Sequence, residues 1–527
     1  VIEDPIKFEV IKNALVSSAR EMSQALRRTA FSPNIKERRD CSCAIFDSKG
    51  NLVAQSKDIP VHLGAMPLSV KSCINALGED MGDGTMALVN DPYSGGSHLP
   101  DLTLVAPLFH DELCIAFTAN RAHHADIGGE SPGSMPGLSL SIHDEGILVE
   151  PRIVVKEGIL QADSISDILK ATRTPDERLG DLFAQVAANN VGKKRLTEIA
   201  KEHGWEVLGK TFSELQAYSS QMMSASLQKY EGRHGKFTDY LESDGAGQWN
   251  IPITVAVKIV DGQADVDFSG TSLQVRGNVN CPIASTLSAV YYVFAALFGK
   301  DIPINEGCWK AIRIKAAQGS LVNPEYPAPV SAGNVETTQR IVDATLGAFA
   351  EFIPEIVPAA SQGTMNNLTI GGTDSSTQRQ FSFYETIGGG SGAARGHNGE
   401  SGIHTHMTNT LNTPIESLES EYPLRVVKYA ILHGSGGAGE WRGGDGIIRE
   451  IEVLSDVCSI SIQSERRDLR PWGLAGGQAG QCGKNTVVYE KHTHPLQAKS
   501  IVTAPKGTII RIETPGGGGW GSPPPKV

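Results

Sequence analysis

The residues best suited to chemistry in this 527-residue chain gather between Ser97 and Asp126, in the stretch SHLPDLTLVAPLFHDELCIAFTANRAHHAD. His98, Asp101, His123, His124 and Asp126 supply imidazole and carboxylate, the ligand types of zinc, manganese and non-haem iron. On a helix, His98 and Asp101 would share a face. Pro100 argues instead for an extended, loop-borne pair. The plain alternative is a set of hydrogen-bonded polar residues at a sheet edge. Two histidines and two aspartates brought together by one hairpin favour a metal site over that alternative.

The hairpin is what must position them. Leu102 to Phe109 and Leu113 to Ala119 read as strands around the polar turn His110-Asp111-Glu112. Folding about Asp111 sets Asp101 opposite Arg121 and crowds the candidates at one end. Strand parity places His123 on the face of Asp101 and Arg121, and His124 on the other. A one-residue change in the turn would exchange the two histidines.

Around this hairpin the pattern predicts a helix over 5–29, opened by Asp4-Pro5. A second hairpin follows, CSCAIF and NLVAQ, with Asp40 at the start of its first strand behind Arg38 and Arg39. Those two cations beside a carboxylate suit a surface ion pair as well as an active site. His62 lies in an apolar loop, IPVHLGAMPLSV, where a lone histidine is more often structural. GGESPGSMPG reads as a loop folded over the metal site. Residues 164–230 turn helical, a layer or insert. Asp261-Gly262 marks a type I′ hairpin, and two buried helices follow it. The fold expected is α+β and multidomain, with mixed and antiparallel sheets and a helical layer or insert in the first half. Its regions are 1–163 (metal site), 164–240 (helical), 241–430 (mixed α/β) and 431–527 (glycine-rich β). The 57 glycines suggest tight turns and backbone close to a ligand or a partner chain.

A net charge of −12 argues against nucleic-acid or anionic-membrane partners. No run approaches the roughly 18 apolar residues of a membrane span. The segment VIEDPIKFEVIKNAL lacks the apolar core of a signal peptide, and the eight scattered cysteines form no C-x-x-C. A cytoplasmic setting is expected. GQAGQCGKN fails as a phosphate loop, with Asn485 where Ser or Thr should bind magnesium. GGGSGA is no nucleophile elbow. His404-Thr405-His406 has the spacing of same-face strand ligands but sits late, among polar and glycine residues.

Nearly the whole chain resembles the hydantoinase B/5-oxoprolinase family. The carrying stretches are ERRDCSCAIFDSKGNLVAQ, IPVHLGAMP, NDPYSGGSHLPDLTLVAP, NRAHHADIGG, SAGNVETTQR and ETPGGGGWG. The resemblance implies a subunit of an ATP-dependent lactam hydrolase (5-oxoprolinase, N-methylhydantoinase or caprolactamase type). It implies a metal held by His98, Asp101, His123 and, from the ERRD motif, Asp40. His124 and Asp126 match the same motif as neighbours able to handle protons. The implied partner is a hydantoinase A-type ATPase subunit that binds ATP with magnesium and phosphorylates the amide oxygen of a small cyclic amide. A water activated at the metal then opens the ring to an amino acid. The ligand set suits zinc or manganese, with zinc preferred on ligand softness. The implied assembly is a heterotetramer of two A-type and two B-type chains. The alternatives are a subunit of an acetone- or acetophenone-type ketone carboxylase, and a non-catalytic scaffold with a structural metal.

Overall fold

Asp4 accepts the free backbone N–H groups of Ile6 and Lys7 and so starts α1 (Pro5–Thr29), whose stripe Phe8, Ile11, Leu15, Met22 and Leu26 is buried;. The computed structural model describes residues 4–56 and 58–525. They form an α+β, multidomain fold, 32% helix and 28% strand. Short α2 (Pro33–Lys36) leads into the hairpin β1 (Cys41–Asp47) and β2 (Leu52–Gln55). The stretch expected as an apolar loop around His62 is instead a 3₁₀ turn, Pro60–His62, running into α3 (Ala65–Leu77). β3 (Met86–Val89), β4 (Asp101–His110), β5 (Leu113–His123), β6 (Arg152–Lys156) and β7 (Ile159–Leu160) complete a seven-stranded sheet, ordered β2-β1-β5-β4-β3-β6-β7.

After the short α4 (Ser166–Ala171), two long helices α5 (Pro175–His203) and α6 (Trp205–Gln228) join α1 against one face of this sheet. α3 packs against the other face. The alternation of β5 serves both. Thr118 and Asn120 bond to backbone carbonyls of Asn189 and Gln185 in α5, while Arg121 reaches Ser69 of α3.

The β4–β5 register differs from the expected one by two residues. Asp101 pairs with His123, and Thr103 with Arg121. The turn is the two-residue type, Asp111 and Glu112 both at positive φ;. A bulge between Leu108 and Phe109 then shifts the partners once more;. A two-residue slip preserves parity, so Asp101 and His123 stay on one face and move closer.

β8 (His234–Ser243), β9 (Trp249–Val260), β10 (Gln263–Asp267) and β11 (Ile312–Lys315) form a second sheet, with β11 parallel to β10. Asp261 and Gly262 both take positive φ at its hairpin. Three helices, α7 (Ile283–Phe298), α8 (Glu306–Trp309) and α9 (Thr338–Ala350), contribute to the core beneath it. A π-helical turn, Gly333–Thr337, opens α9. A third, antiparallel sheet holds β12 (Asn367–Thr373) and β13 (Gln380–Glu385) beside strands Val457–Gln463 and Lys499–Pro505, and a five-stranded sheet lies near the C-terminus.

The glycine-dense segments pack closely on one another. Gly444 N bonds Ser391 O, Gly517 N bonds Gly444 O, and Gly437 N bonds Gly517 O. A Cβ added to Gly517 would lie 1.9 Å from Ser391 O, so this approach excludes any side chain. The segment 128–137 does not cover the metal hairpin. It lies on the third sheet, with Met135 O accepting from Ser461 and Pro136 O from Gln463 and Asn278. Among the described residues, no helix is long and apolar enough to cross a membrane.

Candidate metal centre

Three lone-pair donors converge where β4 begins and β5 ends. His98 Nε2 lies 3.1 Å from His123 Nδ1, and Asp101 Oδ1 lies 3.2 Å from each. All three side chains are buried. Their proximity is a consequence of the register, because Asp101 and His123 are direct cross-strand partners. His98 joins from the turn before β4, where Asp101 N bonds back to His98 O.

Such a set is strained unless a proton or a cation sits among its members. His98 Nδ1 faces the carbonyl of Ser331 at 3.5 Å, the kind of outer anchor that a ligating imidazole usually has. Bonds of about 2.1 Å to one ion would separate neighbouring ligand atoms by roughly 3.0–3.4 Å. The observed spacing fits that. Burial works against the charge on Asp101. The facing His98 and hydrogen bonds from His123, His62 and His98 overcome this and hold its carboxyl well below the usual range. Burial depresses His123 to about 4, so its ring is a neutral ligand at ordinary pH.

Asp40 lines the same cavity. Its carboxylate accepts no hydrogen bond among the described residues. Burial raises its pKa above the ordinary value, and the nearby Arg38 opposes this. The main chain ties it to the site, since His123 N donates to Asp40 O at 3.0 Å. His62, the residue sequence reasoning set aside, is also here. Its Nε2 lies 3.5 Å from Asp101 Oδ2 and its Nδ1 2.8 Å from Ser42 Oγ. The walls are Ile59, Val61, Val335, Met365, Tyr384 and Met407, supplied by segments up to several hundred residues apart. The cavity volume among these side chains is about 20 Å³, room for one ion or one water.

His124 and Asp126 stand outside this cavity. His124 points to the opposite side of the sheet, as parity requires, with Nε2 3.0 Å from Gln185 Oε1 of α5. Burial, with Arg178 nearby, depresses it to about 4. Asp126 accepts from the backbone of Gly128, Gly133 and Arg173 and pairs with the Arg173 guanidinium at 2.9 Å. Its carboxylate closes a loop away from the cavity. Arg38 is no surface ion pair. It is fully buried, whereas Arg39 is exposed. His404 and His406 are apart from the cluster too. His404 is driven down to about 3 by burial, and His406 Nδ1 meets the Tyr292 hydroxyl.

The model of the Hydantoinase B/oxoprolinase family matches residues 4–523. The chain is 40% identical over 523 residues to an uncharacterized protein of Methanocaldococcus jannaschii, covering 99% of this chain and 91% of that one. It is 38% identical over 526 residues to a 5-oxoprolinase of Dictyostelium discoideum, covering 98% of this chain but 40% of that protein. It therefore spans about two fifths of the length of that 5-oxoprolinase. The crystal structure of ATP-dependent caprolactamase from Pseudomonas jessenii superposes with a TM-score of 0.92 at 26% identity, covering 100% and 93% of the two chains. Nucleotide-free acetone carboxylase shares the fold, with a TM-score of 0.91 at 18% identity over 99% and 76%.

Proposed function

The chain belongs to the Hydantoinase B/oxoprolinase family, and from that premise we propose that it is the metal-binding subunit of an ATP-dependent cyclic-amide hydrolase. The observation that carries the reading is the meeting of His98, Asp101 and His123 at 3.1–3.2 Å with no Lys or Arg among them. Asp40 is the fourth ligand in this proposal, and zinc is preferred to manganese for a set containing two imidazoles. When bound, the ion supplies Lewis acidity, which brings water toward a pKa of about 7 in favourable zinc sites.

The remaining work falls to the chain's own side chains. Ser331 O faces the outer nitrogen of His98, and Ser97 Oγ together with His62 orients the outer oxygen of Asp101. His62, poised on the cavity, takes the proton-handling role in place of His124 and Asp126. Ile59, Val61 and Val335 exclude bulk water;.

An unstrained amide resists attack because resonance weakens its electrophilic carbon, and phosphorylation of its oxygen relieves that. The sequence carries no nucleotide motif, so this step belongs to a hydantoinase A-type ATPase chain binding ATP and magnesium. Such a partner would correspond to part of the length by which the Dictyostelium 5-oxoprolinase exceeds this chain. The proposed assembly is a heterotetramer of two chains of each type, in the cytoplasm.

The test is a substrate screen on the co-expressed pair. ATP-dependent opening of a lactam or hydantoin is expected, abolished by alanine at Asp40, His98 or His123 while the complex stays intact. Turnover persisting in those variants would defeat the reading. ATP-dependent ketone carboxylation in its place would move the chain to the carboxylase branch of the fold.

A further inference from the structure

The two histidines of the cluster are held in different ways. The His98 ring is oriented by a backbone carbonyl on its outer nitrogen. The outer nitrogen of His123, Nε2, is buried with no hydrogen-bond partner among the described residues. A ligating imidazole normally has its free N–H anchored, so something else must set the plane of this ring.

Tyr384 is the neighbour that can. Its ring stacks on the His123 imidazole, with centroids 4.6 Å apart and planes 16° from parallel. The Arg38 guanidinium lies over the same tyrosine ring, 4.8 Å from its centroid. Arg38 is fully buried and its donors go to neutral acceptors: Leu411 O, Asn34 Oδ1, Tyr384 O and Thr386 Oγ1. A guanidinium spread over four fixed acceptors is rigid, and it holds the tyrosine by its backbone as well as its π face. Asn34, which takes one of those bonds, also donates to His123 O at 2.7 Å. The tyrosine hydroxyl is anchored separately on Asn367 Oδ1 at 2.9 Å.

We propose that Arg38 and Tyr384 are positioning residues that fix the plane of His123 through ring stacking, keeping Nδ1 aimed at His98 Nε2 and Asp101 Oδ1. The segment Ser32 to Asp40 then serves the site three times. Asn34 and the Asp40 carbonyl hold the His123 backbone, Arg38 holds its ring by way of Tyr384, and Asp40 presents a carboxylate. This role rests on the metal reading above, and its test is separable from that reading.

The experiment compares wild type, Tyr384→Phe and Tyr384→Leu in two measurements. The first is cobalt(II) affinity by chelator competition, with the visible spectrum of the bound ion. Tyr384→Phe keeps the stack and loses only the Asn367 bond, so it should bind cobalt as wild type does. Tyr384→Leu should bind about 10–100-fold more weakly with an altered spectrum. The second is the ¹⁵N spectrum of His123 in the metal-free chain, where wild type and Tyr384→Phe should show one tautomer and Tyr384→Leu a mixture. If Tyr384→Leu does not fold, Tyr384→Met replaces it, keeping bulk without a ring. Failure of wild type to bind cobalt would overturn the metal reading and leave the tautomer measurement to decide the stack. A single, unchanged tautomer in the ringless variant, or equal weakening in Tyr384→Phe, would overturn the stacking role.

Discussion

Around Asp343, three buried cations and three carboxylates neutralise one another directly, whereas the end of the β4–β5 hairpin gathers acceptors and leaves the cations at a distance. In the first cluster Arg466 bonds Asp343 at 2.7 Å and Asp239 at 2.9 Å, and Arg340 bonds Asp343 at 2.9 Å. Lys499 pairs with Glu465. These contacts tie α9, β8 and the strand Lys499–Pro505 together. In the second cluster Arg121 approaches Asp101 only through Ser97, and Arg38 stands behind Tyr384. A buried group left without a partner is expensive. The first cluster therefore balances its charges directly, and in the proposed function the second receives its balancing charge from a bound cation.

The contrast can be broken at either end, and the largest effect is expected at the closed network. Asp343→Ala removes the carboxylate that two buried guanidiniums share and should destabilise the protein by about 3–5 kcal/mol, read from urea unfolding, with metal content per folded chain unchanged. Asp126→Ala should behave alike on a smaller scale, about 2–4 kcal/mol, since its carboxylate closes a loop outside the cavity. Full loss of bound metal in that variant would restore Asp126 to the site. At the open cluster the order reverses. Chelation of the loaded wild type should lower its thermal midpoint, by a margin equivalent to about 2.7 kcal/mol at a hundredfold excess of metal over Kd. Asp101→Ala should show no response to chelator.

These contrasts also explain what the sequence could and could not reveal. Parity along β4 and β5 was readable because side-chain alternation survives a slip of two, so Asp101 and His123 were found although their register was not. The turn at Asp111-Glu112 and the bulge at Leu108 each moved the pairing, and neither leaves a hydrophobic signature. α1, the helices of 164–230 and the Asp261-Gly262 hairpin follow from local period and turn chemistry, which need no tertiary partner. His62 was missed because a lone histidine in an apolar stretch has no pattern around it. Val335, Met365, Tyr384 and Met407 are brought to the cavity by contacts between distant segments, and no periodicity reports those. The glycines announced close approach but not to what, and the answer was their own neighbours' backbone.

A smaller effect sharpens the comparison through pH. Glu336, on the π turn opening α9, accepts from Met365 N and Asn367 Nδ2, and burial pushes it up to about 7. A carboxyl whose folded pKa is raised binds its proton more tightly in the folded state. It favours folding below about pH 4.5, and that contribution is lost as pH rises toward 7. Glu336→Gln should flatten the fall in unfolding free energy between pH 5 and 8 by about 1–3 kcal/mol, measured by denaturant titration at each pH. An unchanged slope would assign the dependence to another group.

The central claim is that the acceptors at the hairpin end hold one divalent ion, and elemental analysis of the purified, metal-replete chain tests it most directly. About one equivalent of zinc or manganese per wild-type chain, with none in His98→Ala or Asp101→Ala, is the predicted result. A folded wild type without metal, or variants that retain the full equivalent, would contradict it.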